Sequence, residues 1–207
     1  MRAAACIAVL ALLCGCEALK SQVSDHPRKY SLAPLHGAVG NAPAAARGPE
    51  AAPTLLVSPP QAAAGFDSPH MMYLREGGRL EYFAYNEWID TPGRMLAPLI
   101  VVAVESKGAF RAVVQTPSPA SGEMRLDTEV LRLQQEFIDT PSKVRFGLRA
   151  TLVDHATRRV IATREFNAVV PSASEDPQGG VAAARTAVQS VLEELALFCA
   201  EGARRRR

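Results

Sequence analysis

The chain has 207 residues, enough for one well-cored domain with tails. Its 23 Lys and Arg nearly balance 21 Asp and Glu, for a formal net charge of +2. Basic and acidic residues are interleaved, so no one-signed field predicts nucleic-acid binding, and no uninterrupted apolar run reaches the roughly 20 residues that span a bilayer.

At the start, Arg2 precedes an apolar run over residues 3–13, about 11 residues, the size of a signal-peptide core and too short for a membrane helix. The run ends in Leu13-Cys14-Gly15-Cys16, which resembles a bacterial lipobox with Leu at −3, a small residue at −1 and Cys at +1. Cys14 fits less well, because Leu13 would fill the small position. The competing reading is an ordinary secretory signal that happens to contain cysteine. In the lipobox reading residues 1–15 are removed and Cys16 carries fatty acyl chains such as palmitate. Such chains anchor firmly, at about 0.8 kcal/mol per buried CH₂. Cys199 is then the one thiol left, which excludes an internal disulfide. Glu17 follows in place of the Asp that favours inner-membrane retention in enteric bacteria, which leans the expectation towards the outer membrane.

Residues 16–53 read as a lipid-anchored flexible segment, with Tyr30-Ser31-Leu32 as a candidate short strand. From Pro34 to Pro53 the chain is rich in Ala, Gly and Pro and cannot bury enough surface to fold. The folded domain is expected over residues 54–202. Thr54-Leu55-Leu56-Val57, stopped by Pro59-Pro60, reads as its first core strand. Met72-Tyr73-Leu74 and Leu80-Glu81-Tyr82-Phe83-Ala84-Tyr85 are strand-like, and Gly77-Gly78 between them signals a hairpin. Thr91-Pro92 reads as N-cap and first helical residue. Met95, Leu96, Leu99, Ile100, Ala103 and Val104 then give a helical stripe ending at Gly108, with Pro98 predicting a kink.

Ala112-Val113-Val114 reads as a short strand. Met124, Leu126, Thr128 and Val130 alternate, and Leu131 and Leu133 continue on the other parity, which predicts a β-bulge near Val130. Val144, Phe146, Leu148, Ala150 and Leu152 alternate strongly. After a turn at Asp154-His155-Ala156-Thr157 the return strand has Val160, Ala162 and Phe166 on the same face as the preceding strand. Gly179-Gly180 leads into a helix with Val181, Ala184, Val188, Val191, Leu195 and Phe198 on one stripe and Gly202 as C-cap. Residues 203–207 form a basic tail, solvated or in contact with anionic lipid headgroups. The fold class that follows is α+β, a mostly antiparallel sheet with two helices packed on one face.

Motifs for chemistry are sparse. His26, His36, His70 and His155 have no metal-ligand spacing, so neither metal nor cofactor is expected. No phosphate loop, dinucleotide fingerprint or Gly-x-Ser-x-Gly occurs. Asp67, Ser68 and His70 combine triad residue types too close in sequence to converge, and read as a turn. Cys199 reads as a small apolar core residue. No catalysis is expected, and a small hydrolase using Asp67, Ser68 and His70 is the weaker rival. Two contact candidates stand out. Phe83, Tyr85 and Trp88 belong to an aromatic run whose members are core, or lipid or partner contacts where exposed. The stretch Arg132-Leu133-Gln134-Gln135-Glu136 is an edge strand defended by charge, or a polar partner surface through Arg132, Gln134 and Glu136.

Several segments in order resemble the ABC-type transport auxiliary lipoprotein family (PqiC/YmbA-like). They are the lipobox at Cys16, Tyr30-Ser31-Leu32, Leu55-Leu56-Val57-Ser58-Pro59-Pro60 and Met71-Met72-Tyr73-Leu74-Arg75. They continue with Leu80-Glu81-Tyr82-Phe83-Ala84-Tyr85-Asn86-Glu87-Trp88, Met95-Leu96-Ala97-Pro98-Leu99, Leu126-Asp127-Thr128-Glu129-Val130 and Gly180-Val181-Ala182-Ala183-Ala184-Arg185. The stretch from Pro34 to Pro53 looks longer than the family's usual first connection, which leaves open whether the Tyr30 strand joins the sheet. The resemblance implies a non-enzymatic subunit, lipid-anchored and facing the periplasm. Its implied partners are an MCE-domain protein and ABC permease and ATPase subunits that move lipids or other apolar molecules between the membranes. A structural envelope lipoprotein similar to the N-terminal domain of TolB-like proteins is the alternative, and homo-oligomerisation is left open.

Overall fold

The computed structural model describes residues 26–33 and 48–205. The signal segment and the lipobox at Cys16 lie outside these residues. Among the described residues, nine strands and two long helices follow in chain order: β1 Arg28–Tyr30, β2 Thr54–Val57, β3 Gln61–Ala62, β4 His70–Arg75, β5 Arg79–Trp88, α1 Pro92–Glu105, β6 Ala112–Gln115, β7 Met124–Phe137, β8 Lys143–Asp154, β9 Val160–Pro171 and α2 Pro177–Arg205.

β7 organises the sheet. On one edge it pairs in parallel with β2, β3 and β4 in succession, and on the other it pairs antiparallel with β8, which pairs antiparallel with β9. β6 adds in parallel beyond β2, and the β4–β5 hairpin carries β1 in parallel beyond β5. The α+β class holds, but the sheet is mixed and not mostly antiparallel. The cause is non-local: residues 54–75 run along one edge of β7 in its own direction, which no local pattern encodes. Tyr30 does join the sheet, paired with Trp88.

Local chemistry explains the elements that were foreseen. Gly77 and Gly78 carry φ of 78° and 76°, a left-handed pair that glycine adopts without steric cost, and they turn β4 into β5. The bulge in β7 falls between Val130 and Arg132, where the buried parity passes from Val130 to Leu133. Asp154 Oδ1 accepts the Thr157 amide at 2.8 Å and closes the β8–β9 turn. α1 begins at Pro92, as expected, but the Thr91 side chain makes no capping bond. The helix continues through Pro98 to Glu105, and Gly108 follows with φ of 59°.

Three details differ from expectation. α2 starts at Pro177, so Gly179 and Gly180 lie in its first turn. Asp176 Oδ1 caps it, accepting the Gly179 amide at 2.8 Å. Gly202 is no C-cap: α2 runs on to Arg205, and Gly202 packs where an added Cβ would overlap the Leu152 side chain. Val160 is exposed, because an irregularity opposite Leu152/Val153 turns the start of β9 off the buried face.

The core lies between one sheet face and the helices. Met124, Leu126, Val130, Leu133, Phe146, Leu148 and Phe166 meet Leu96, Ile100, Val188 and Leu195 in one continuous cluster. Alternate residues of β7, β8 and β9 face solvent on the other side, so the sheet presents an open polar face.

Candidate functional site

The open face brings together three of the six sequence-derived contact residues, Arg132, Gln134 and Glu136. Parallel pairing sets Met72 beside Gln134 and Leu74 beside Glu136, and antiparallel pairing sets Arg145 opposite Gln134, Arg149 opposite Glu129 and Glu165 opposite Arg149. Arg132 is exposed and lies opposite Gly147, whose missing side chain leaves room for the arginine stem. The stretch containing Arg132, Gln134 and Glu136 is therefore interior to the sheet, with β4 on one side and β8 on the other. The edge-strand reading fails because residues 70–75 return to cover that edge.

Most of the charge on this face is internally matched, with Arg132 outside the ion pairs. Arg145 grips Glu136 with two parallel hydrogen bonds of 2.9 and 3.1 Å, and Gln134 Nε2 donates to the same carboxylate at 3.0 Å. Burial pushes the Glu136 carboxyl up. The hydrogen bonds from Arg145 and Gln134 and the positive charges of Arg145 and Arg132 outweigh it and hold the group below the usual carboxylate range. Arg149 bridges Glu129 and Glu165, each at 2.7 Å. Arg125 pairs with Asp127 at 2.9 Å, and Ser58 Oγ donates to the same aspartate at 2.6 Å. Such exposed pairs add little stability each, but they fix a patterned surface.

The aromatic candidates separate. Trp88 is 4% exposed and belongs to the core. Phe83 is half-buried against Tyr73, 4.6 Å between ring centroids, and Phe137 completes that cluster at the end of the helix-covered face. Tyr73 Oη donates to Glu81 at 2.6 Å, which raises its phenol above the ordinary value. Tyr85 is 61% exposed. It lies in an irregular stretch of β5, since Tyr82 pairs with Met72 but Glu87 already pairs with His70. Tyr82, a member of the same aromatic run but not one of the contact candidates, is 55% exposed and stacks on His70 at 4.4 Å. Its neighbours Leu74 and Leu80 share the open face, so one end of that face is apolar and aromatic. Alternation from Leu80 to Tyr82 was the available signal.

The residues of the hydrolase rival do not form a triad. Ser68 Oγ accepts the His70 backbone amide at 3.4 Å, a local turn contact. The His70 ring is taken up by Tyr82 and by Glu87, whose carboxylate lies 3.8 Å from Nδ1. Cys199 is fully buried, and burial pushes its thiol up to about 12, away from the thiolate a nucleophile needs. Among the described residues no group of three His, Cys, Asp or Glu side chains could hold a metal ion, and no helix is long and apolar enough to cross a membrane.

No curated protein matches the chain. A protein from Xanthomonas campestris of known structure is similar over 77% of this chain and 93% of its own, with 26% identity and a TM-score of 0.69. An uncharacterized protein shares the fold over 84% of this chain and 99% of its own, with 13% identity and a TM-score of 0.64. A hypothetical protein from Chlamydia trachomatis does so over 76% and 98%, with 10% identity and a TM-score of 0.51. The family model described as "ABC-type transport auxiliary lipoprotein component" matches residues 30–196, from β1 through most of α2. That family is an accessory component and not an enzyme family, and the chain belongs to it.

Proposed function

We propose that this protein is a lipid-anchored, periplasm-facing accessory subunit of an MCE/ABC-type system that moves lipids or other apolar molecules between the inner and outer membranes. The observation that carries the reading is the family match, which covers the folded body almost end to end. ATP hydrolysis belongs to a separate subunit in this reading. Cys16 is the anchor, with the outer membrane the favoured site, and the tether is the stretch between Cys16 and β1, because β1 and Leu32 are already part of the folded body. The open sheet face is the docking surface. Arg132, Gln134 and Glu136 supply its polar part, Tyr82 and Tyr85 its aromatic part, and the matched ion pairs set orientation more than affinity.

The test is affinity capture of the tagged chain from membranes. Recovery of an MCE-domain protein with a permease or ATPase is the expected result. Repeated recovery of peptidoglycan-associated proteins alone overturns the transport role in favour of a structural envelope module. The anchor is tested separately: Cys16→Ser should release the protein from membranes or leave its leader uncut, and normal processing with normal retention refutes lipidation.

A further inference from the structure

On the helix side, away from the open face, a groove of about 450 Å³ runs between α1 and α2. Val188 and Leu192 of α2, Leu99, Val102 and Ala103 of α1, and Leu32, just after β1, line it. Such a volume, mostly apolar with a few polar groups at its rim, is that of a small-molecule pocket. The rim carries Lys107 and Arg185. Neither forms an ion pair with a carboxylate among the described residues, whereas Arg125, Arg145 and Arg149 of the open face each do. Arg185 Nε donates to the Ser31 carbonyl at 3.0 Å, and among the described residues its terminal nitrogens have no hydrogen-bond partner. The one rim acid, Glu193, accepts from Gln189 at 3.4 Å.

We infer that this groove binds one alkyl chain bearing an anionic head, as in a fatty acid or a lysophospholipid, with the chain between the helices and the head on Lys107 or Arg185. The scarcity of exposed apolar lining argues for a single slender chain. Val188 and Leu192 are 2% and 6% exposed, and Val102 is the one large apolar lining residue that stands exposed, at 50%. An amphipathic partner helix would need several exposed apolar anchors in a row. The opposed cations select an anionic head over a neutral one. The inference is independent of the transport reading, because binding is read on this chain alone.

The full chain, held in phosphatidylcholine vesicles, is irradiated with a trace of a photoactivatable hexadecanoate, and the labelled peptides are mapped by mass spectrometry. Labelling is expected to concentrate within residues 99–107 and 185–193, several-fold above that given by the probe's uncharged methyl ester. Val102→Glu, on an exposed position that leaves the core intact, should cut labelling several-fold, and one of Lys107→Gln and Arg185→Gln, the one that removes the cation holding the head, should narrow the gap between acid and ester. A matching lysophosphatidylglycerol probe identifies the source: stronger groove labelling by it names a lysophospholipid, stronger labelling by hexadecanoate a free fatty acid. Labelling that falls elsewhere, is equal for acid and ester, or is untouched by Val102→Glu overturns the proposal.

Discussion

Glu136 shows how one side chain ties the open face to pH. Its carboxyl is held below the ordinary value of 4.5 in the folded chain, so the native state favours the charged form. That preference stabilises the fold above the ordinary carboxylate range and is lost as pH falls through the lowered native value. Urea midpoints should therefore decline as pH drops from about 5 towards 3, and Glu136→Gln should flatten that decline. An unchanged slope would remove Glu136 from the account. Cys199 gives a second residue-scale expectation. With its thiol at about 12 and its side chain in the core, it should resist alkylation by iodoacetamide at neutral pH in the native protein and react after unfolding, as read by mass spectrometry. Rapid native labelling would contradict its placement.

At the scale of elements, α2 depends on both its ends. Asp176→Ala removes the cap on the Gly179 amide and should cost about 1 kcal/mol in chemical denaturation. Gly202→Val forces a branched side chain against Leu152 and should cost about 1–3 kcal/mol. A neutral result there would restore Gly202 to the terminal role that its sequence position suggests. The two sites also show what a linear reading can see. Asp176-Pro177 is a legible cap and first-turn pair, passed over because the two glycines after it read as the lead into the helix. Gly202 misleads because small size for close packing and freedom for a terminus look identical in sequence. The Gly77-Gly78 hairpin, the bulge after Val130 and the β8–β9 hairpin were legible because each is written in consecutive residues. The parallel pairing of β2, β3 and β4 on β7 was not, since the partner of a buried strand is chosen by the packing of the whole chain.

For the molecule as a whole, one hydrophobic cluster joins the sheet face and both helices, and it contains the protein's single tryptophan, Trp88. Trp88 fluorescence and far-ultraviolet circular dichroism should therefore report one coincident unfolding transition. Separate midpoints would mean that the β1–β5 region melts independently. Of the candidate surface, Arg132, Gln134 and Glu136 were legible as polar residues in a strand. Their central position, and the company of Tyr82, depended on β4 lying alongside. The arrangement around β7 also governs the order in which the chain can acquire structure. β2, β3 and β4 are all made before the strand that receives them, and β2 additionally waits for β6. An emerging chain that has reached only α1 has its β4–β5 hairpin but no ladder for its first core strand. Contacts of such long sequence separation make folding slow, and the long wait leaves apolar strands open to aggregation. A polypeptide of this topology cannot close its sheet around β7 until its second half arrives, so its first half depends on its last.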